Sequence, residues 1–385
     1  MERSKGTLSH PFYTAEHEAF RDVVRRWTRA EIEPYATKWD EAGEFPRELY
    51  TKAAAVGLLG LGYPEKYGGI EADLFCQVIA YQEIARAGSG GIQAGLFSHT
   101  IGAPPILRAG SEQLKSRLLP SILAGEKISA LAITEPGAGS DVAALQTTAR
   151  RDADHYVVNG CKTFITSGMR ADLITTAVRT GGPGRGGISV VVIEGDSAGL
   201  SRTKLDKTGW WASDTATLYF SDVRVPVANR LGNEDQGFSL IVSNFNTERL
   251  ILAANCIAFS QVCIDETAAY ARERCTFGHP LIKNQVIRHK LVDMTMRVRV
   301  AQAMLEELTW RMEQGEAPVA DICMLKNFST LTLEFCAREA IQTAGGAGYL
   351  RGSKVERIGR EVRVNAIGGG AEEILRDLAA RQMGW

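Results

Sequence analysis

The chain has 385 residues, 45% of them hydrophobic, which is enough for two or three domains around a large core. Lys+Arg 44 against Asp+Glu 45 gives a formal net charge of -1 with no long basic block, which speaks against a nucleic-acid surface. The seven cysteines are scattered without a CxxC pair, and the six histidines show no HExxH spacing. Neither a disulfide framework nor a protein-bound metal is expected, and a reducing compartment fits.

The stretch Met1 to Phe20 carries His, Glu and Pro where a secretory signal would need an unbroken apolar run. Thr14 is placed to cap a helix, and apolar residues then recur at helical spacing: Phe20, Val23, Val24 and Trp27, later Phe75, Val78, Ile79 and Ile84. Between Ala130 and Gly232 the pattern changes to short β-branched runs punctuated by Gly, Asp and Asn. Tyr156 to Gly160, Leu173 to Val178, Ile188 to Ile193, Thr217 to Phe220 and Val223 to Pro226 read as strands. The glycine-rich tract 181–187 reads as a hairpin loop between two of them. Helical patterns resume after Gly237 and run to Arg381, broken at Phe277 to Pro280 and at two glycine clusters, Gly345 to Gly348 and Gly368 to Gly370. No membrane span is expected: the nearest window, Leu250 to Ile264, is interrupted by Asn255, Ser260 and Gln261 and reads as a buried helix. The expected fold class is α+β, with an N-terminal helical domain (1–129), a middle β domain (130–233) and a C-terminal helical bundle (234–385).

Within that bundle, Phe238, Ile241, Phe245, Glu248 and Leu252 fall on one face of what reads as a single long helix. A carboxylate on such a stripe is paired, neutralised or kept for proton chemistry. The adjacent Arg249 offers a structural ion pair as the plainer reading. At the start of the β region, Ile133-Thr134-Glu135-Pro136-Gly137-Ala138-Gly139-Ser140-Asp141 runs from a strand into a glycine-rich turn. Its backbone N–H groups and the Ser140 hydroxyl could meet an anionic ligand, while Glu135 reads as solvent-exposed. The turn lacks the spacings of dinucleotide and P-loop sites.

Five segments in order give this turn its meaning: Ile133 to Asp141, Asn159 to Gly168, Ser213-Asp214-Thr215 ahead of Val223 to Pro226, Arg272 to Gly278, and Gln342 to Tyr349. With them the chain resembles the acyl-CoA dehydrogenase family over essentially its whole length. The resemblance implies that architecture of three domains, bound FAD, and α,β-desaturation of an acyl-CoA thioester in fatty acid metabolism. It also implies a homotetramer and an electron-transferring flavoprotein as partner. A bacterial-type member would be cytoplasmic; a processed eukaryotic one would lie in the mitochondrial matrix.

Residue by residue, the resemblance implies that Thr134 and Thr166 hydrogen-bond the flavin ring, with Thr166 near N5. Leu131, Ile133 and Gly139 would line the cofactor, Ser140 would contact the pyrophosphate, and Phe164, at a position often held by Trp, would pack on one flavin face. Arg274, Thr276, Gln342 and Gly346 would serve the FAD site of a neighbouring subunit, and Phe277 and Gly345 would also bind the cofactor. Many members place the catalytic glutamate at the position occupied here by Gly369, which has no side chain to take a proton. Long-chain and isovaleryl-type members place it on the first long helix of the C-terminal domain, where this chain has Thr247-Glu248-Arg249. Glu248 is therefore the expected base, Gly369 the backbone donor to the thioester oxygen, and Arg249 and Gly368 neighbours of the substrate. Glu372 and Glu373 are rival carboxylates, read instead as the start of a helix. Other flavin chemistry on the same fold, monooxygenation or nitroalkane oxidation, and a non-catalytic FAD-binding assembly protein are the alternatives.

Overall fold

The computed structural model describes residues 11–385, so the Met1 to His10 part of the N-terminal stretch read above lies outside the described residues. Eight helices come first: α1 (Ala15–Glu31), α2 (Ala36–Ala42), α3 (Glu48–Ala55), α4 (Leu74–Ala85), α5 (Gly90–Leu96), α6 (His99–Gly102), α7 (Pro104–Ala109) and α8 (Glu112–Leu123). Thr14 does cap α1: its hydroxyl accepts from the His17 N–H at 3.3 Å, and the Thr14 N–H donates to the His17 ring at 3.0 Å. The other His17 nitrogen lies 2.9 Å from Asp73, whose carboxylate in turn caps α4 through the Cys76 N–H at 3.0 Å. One side chain thus ties the starts of two helices together.

The middle of the chain is a mixed sheet of β1 (Ser129–Ala132), β2 (Thr148–Asp152), β3 (His155–Ile165), β4 (Leu173–Arg179), β5 (Ile188–Glu194), β6 (Leu200–Lys204), β7 (Ala216–Pro226) and β8 (Arg230–Leu231). Its order is β6-β7-β3-β2-β4-β5-β8, with β1 parallel to β4. The central pair β4 and β5 is buried on both faces, which explains its almost unbroken apolar sequence. Leu173, Ala177, Val190 and Val192 face a core shared with α7 and α8, while Ile174, Val178, Val191 and Ile193 face a second core under β3 and β7. The runs read separately as Thr217 to Phe220 and Val223 to Pro226 form one strand, β7, paired along β3 through two bulges. The 181–187 loop joins β4 to β5, and Arg179 ties it down by donating to the Gly182 and Gly184 carbonyls at 2.6 and 3.2 Å.

The bundle comprises α9 (Gly237–Val242), α10 (Phe245–Glu273), α11 (Gln285–Glu313), α12 (Val319–Ala344), α13 (Lys354–Ile367) and α14 (Glu372–Met383). The expected continuous helix from Phe238 to Leu252 is in fact two, α9 and α10, broken at Ser243 and Asn244. The Ser243 hydroxyl bonds back to the Leu240 carbonyl at 2.8 Å and accepts from Arg108 at 2.6 Å, and the Asn244 amide turns to the Thr100 carbonyl at 3.5 Å. Polar side chains that find local partners compete with the helical ladder in this way. By length and composition the merged stretch Gly237–Glu273 could cross a membrane, but 72% of its apolar window is buried in the fold, as befits a core helix. The largest core joins α1, α3, α4 and α5 to α10, α11, α12 and α13, so the two helical regions share one hydrophobic interior. All seven cysteines are free.

Candidate active site

On the β side, the site is built around a buried ion pair. Glu135, expected to be exposed, is only 7% exposed, because Lys162 on β3, itself fully buried, reaches it at 2.8 Å. Glu135 also accepts the Gln146 and Thr147 N–H groups at 2.6 and 2.8 Å, and Lys162 donates to the Ile133 carbonyl at 2.9 Å. Burial pushes Glu135 toward the neutral form, but Lys162 and those donors outweigh it and hold its pKa below the ordinary value. Burial brings Lys162 down to about 8, still above neutrality, so the pair is ionic at neutral pH. This pair staples the glycine-rich turn to the sheet.

The turn carries Thr134, whose carbonyl accepts the Thr163 N–H at 2.8 Å, so it lies against the end of β3, which holds Phe164 and is followed by Thr166. A register shift between Lys162 and Ile165 forces Phe164 to φ +60°, and its ring is 68% exposed. A bulky residue in the left-handed region is strained, and such strain clusters at binding sites. Ser167, at φ +59°, follows. The turn after it is fixed by Asp214, which accepts the Met169 and Arg170 N–H groups at 3.1 and 3.2 Å and pairs with the Arg170 guanidinium at 3.1 Å. That is the structural work of the Ser213-Asp214-Thr215 segment.

On the bundle side, Glu248 sits in the first turn of α10. Its side chain keeps some accessible surface, yet among the described residues it makes no ion pair and accepts no hydrogen bond. Burial raises its pKa to about 7, against the opposing pull of Arg249 and Lys326. Arg249, buried at 7% exposure, does not pair with it: its Nε donates to the Gly369 carbonyl at 3.1 Å. Gly369 (φ +67°) and Gly370 (φ +109°) form the turn after α13, and a Cβ at Gly369 would point toward Leu252 and Arg249. The Gly369 N–H has no hydrogen-bond partner among the described residues. The structure thus brings Glu248, Arg249 and the Gly368–Gly370 turn together. Glu372 and Glu373 begin α14, and Glu372 pairs with Arg376 at 2.9 Å.

Arg274, Thr276, Phe277, Gln342, Gly345 and Gly346 lie elsewhere. The 26 residues from Glu248 to Glu273 are all helical, which at about 1.5 Å per residue puts Arg274 roughly 39 Å from the Glu248 end. These residues share their own locality: the Tyr270 hydroxyl, one turn before Arg274, donates to the Ala344 carbonyl at 3.2 Å. Phe277 (φ +50°) and Gly278 (φ +86°) form a two-residue hairpin turn, and the Phe277 ring projects wholly into solvent. Arg274 and Gln342 are exposed, with no side-chain partner among the described residues.

Three family descriptions match the chain in succession: the N-terminal domain of acyl-CoA dehydrogenase over residues 14–126, the middle domain over 130–223 and the C-terminal domain over 235–384. The chain belongs to the acyl-CoA dehydrogenase family. It is 34% identical to the mitochondrial long-chain specific acyl-CoA dehydrogenase of Rattus norvegicus, over 96% of this chain and 87% of the relative. A chain of known structure from Mycobacterium smegmatis, assigned as an acyl-CoA dehydrogenase, superposes with a TM-score of 0.95 at 46% identity, covering 97% of this chain and 99% of the other. An acyl-CoA dehydrogenase from Bacillus anthracis solved with FAD has a TM-score of 0.90 at 28% identity, covering 96% and 67%.

As a member, the protein is a flavoprotein oxidoreductase that dehydrogenates acyl-CoA with FAD. The residues present fit that cofactor: Phe164 is exposed at a positive φ, the Thr134 and Thr166 hydroxyls have no hydrogen-bond partner among the described residues, and open space lies beside Gly137. The motifs did not reveal the Glu135–Lys162 staple, nor Tyr81 of α4, whose hydroxyl bonds Thr100 at 2.8 Å and lies close enough to feel the Glu248 charge. Lys162 lies within the Asn159 to Gly168 segment, but with Cys161 half-buried and Thr163 buried beside it, no alternation along β3 marks it.

Proposed function

We propose that this enzyme desaturates an acyl-CoA between its α and β carbons, with Glu248 removing the α proton. The observation that carries this reading is a carboxylate deep in the fold, its pKa raised to about 7, beside a glycine turn, with neither the carboxylate nor the Gly369 N–H partnered among the described residues. A carboxylate in that state is closer in basicity to a thioester-activated C–H than an exposed one, which lowers the barrier to proton transfer. The Gly369 N–H is available to donate to the thioester oxygen, where negative charge grows as the proton leaves. Arg249 fixes the same peptide from its carbonyl side. Bound FAD supplies the hydride acceptor.

Phe164, Thr134, Thr166 and Ser140 hold the cofactor within one chain, with Leu131, Ile133 and Gly139 lining the turn. Arg274, Thr276, Gln342 and Gly346 serve the site of another subunit, with Phe277 and Gly345 beside them, a reading supported by the distance of Arg274 from Glu248 and by the exposure of Arg274, Phe277, Gln342, Gly345 and Gly346. A second surface supports assembly as a homotetramer: Val292, Met296 and Val300 form an exposed apolar stripe at four-residue spacing on α11. Electron-transferring flavoprotein as acceptor, and a cytoplasmic or mitochondrial matrix location, follow from the family resemblance. The glycine turn removes bulk beside Gly368 and Gly369, which suits a long or branched acyl group.

Anaerobic flavin reduction tests the reading. Straight and branched acyl-CoAs of increasing length should bleach the bound flavin, with long or branched chains fastest. Failure of every acyl-CoA to reduce it would overturn the proposal.

A further inference from the structure

Lys326 on α12 is a fully buried cation that the reaction as described does not use. Its ammonium donates to the Gly370 carbonyl at 2.8 Å and to the Ala366 carbonyl at 3.3 Å, and no carboxylate lies within ion-pair reach among the described residues. The next side chain, Asn327, donates to the Glu372 carbonyl at 2.9 Å. Together with the Arg249 bond to Gly369, three side chains from two helices grip four carbonyls of one seven-residue turn. Two of those residues, Gly369 and Gly370, adopt positive φ, so nothing in their own backbone preference fixes the turn.

An ammonium reaching the end of α13 from α12 could serve only as a helix C-cap, since Ala366 lies in the last turn of α13, where a cation favours the negative end of the helix dipole. Two observations go further. The stronger of its two bonds is to Gly370, past the helix end, one peptide from Gly369. Lys326 also lies close enough for its charge to favour ionised Glu248.

We infer that Lys326 is a positioning residue for desaturation: it holds the turn that presents the Gly369 N–H, and its positive charge acts on Glu248 from the same point. The inference rests on Glu248 as base and Gly369 as donor. The groups facing Glu248 are Arg249 on its own helix, Lys326 on α12 and Tyr81 on α4. Those facing Lys326 are Cys256 and Arg249 on α10, Cys323 on α12 and Glu372 on α14. Burial draws Lys326 down to about 8, so it is mostly charged at neutral pH, and removing it leaves Arg249 as the cation that favours ionised Glu248 among the described residues.

The test is anaerobic single-turnover flavin reduction of the FAD-loaded enzyme by its best acyl-CoA, followed from acid to alkaline pH, in Lys326→Met, Lys326→Gln, Lys326→Arg and Glu248→Gln. Lys326→Met should retain FAD, reduce its flavin at least about tenfold more slowly, and show an acid limb moved up by about half a pH unit. Lys326→Gln keeps a donor for the same carbonyls without the charge: it should regain part of the rate at high pH and keep the displaced limb. Lys326→Arg should leave the limb in place. A FAD-loaded methionine variant with wild-type rate and limb overturns the inference; where the methionine variant does not fold, wild-type rate and limb in the glutamine variant overturn it equally. Loss of reduction in Glu248→Gln with unmoved Lys326 limbs overturns this inference alone, whereas intact reduction in Glu248→Gln overturns the assignment of the base.

Discussion

Arg249 turns away from the carboxylate next to it in sequence: its Nε donates to the Gly369 carbonyl at 3.1 Å and its guanidinium carbon lies 5.3 Å from the centre of the Phe245 ring. That bond argues against a structural ion pair between Arg249 and Glu248. An ion pair would have satisfied both charges; here the cation is used on a peptide, and Glu248 is left without a partner among the described residues in a place where ionisation is disfavoured.

Glu248→Gln should therefore keep FAD and acyl-CoA binding while flavin reduction falls by about 100- to 10,000-fold or more, the range for a positioned general base. Stability provides a second, independent reading. A carboxyl whose folded pKa is raised to about 7 binds its proton more tightly folded than unfolded, so its stabilising contribution is complete below the unfolded value and is lost as pH rises through 7. The glutamine variant should consequently melt higher than wild type on the alkaline side of neutrality and show no such gain in acid. Calorimetry at both pH values checks this; a variant that is destabilised at alkaline pH would restore the ion-pair reading.

The β-side staple makes the opposite prediction. Lys162→Met leaves the Glu135 carboxylate buried without its cation, and breaking one half of a buried pair costs about 3 to 5 kcal/mol. The glycine-rich turn should loosen with it, so the variant is expected to lose FAD as well as thermal stability. The double variant Lys162→Met with Glu135→Gln removes the stranded charge and should recover part of the loss. Equal melting temperatures for the single and double variants would argue against a charged pair.

How far these features could be read in the sequence depends on which interactions are local. Thr14 was legible because a cap acts over three residues, and β4 and β5 were legible because strands buried on both faces must be apolar throughout. Glu248 stood out because a carboxylate interrupts an apolar stripe, although the stripe itself crosses a break between α9 and α10. That break depends on Arg108 and Thr100, more than a hundred residues away, and no periodicity reports such partners. The burial of Glu135 was hidden for the same reason: its cation comes from a strand 27 residues later, and a carboxylate before a proline in a glycine turn otherwise belongs in water. Lys326 and Tyr81 reach the Glu248 region from α12 and α4, and only the packed bundle brings them there.

Distance along α10 yields a test of assembly. If Arg274 serves a different subunit's cofactor from the one reduced beside its own Glu248, two defective proteins can complement each other. Arg274→Glu and Glu248→Gln should each reduce flavin poorly, the first through weak FAD retention. Reassembled together from dissociated subunits, they should form hybrids with some sites that have an intact Glu248 and an intact neighbouring Arg274. Flavin reduction in the reassembled mixture above that of either parent is the expected result; no gain, with hybrids verified by native mass spectrometry, would place Arg274 outside a shared site. Arg274→Glu should melt normally without FAD, since the side chain has no partner in its own chain among the described residues.

Gly369 gives the last prediction, because it separates space from backbone strain. A Cβ there would meet Leu252 at 3.5 Å and Arg249 at 4.0 Å, which is ordinary contact, so Gly369→Ala has room. Its φ of +67° is what a residue with a Cβ resists, at a cost of roughly 1 to 2 kcal/mol. The turn can relieve that strain by rotating the peptide, and rotation would take the Gly369 N–H away from the position proposed for the thioester oxygen. Losing one such donor typically slows turnover by about 100- to 1,000-fold. The alanine variant should therefore lose only modest thermal stability and retain FAD, while flavin reduction slows far more than the melting temperature would suggest. A variant that loses stability but reduces its flavin at the wild-type rate would show that the N–H at this position is not the donor.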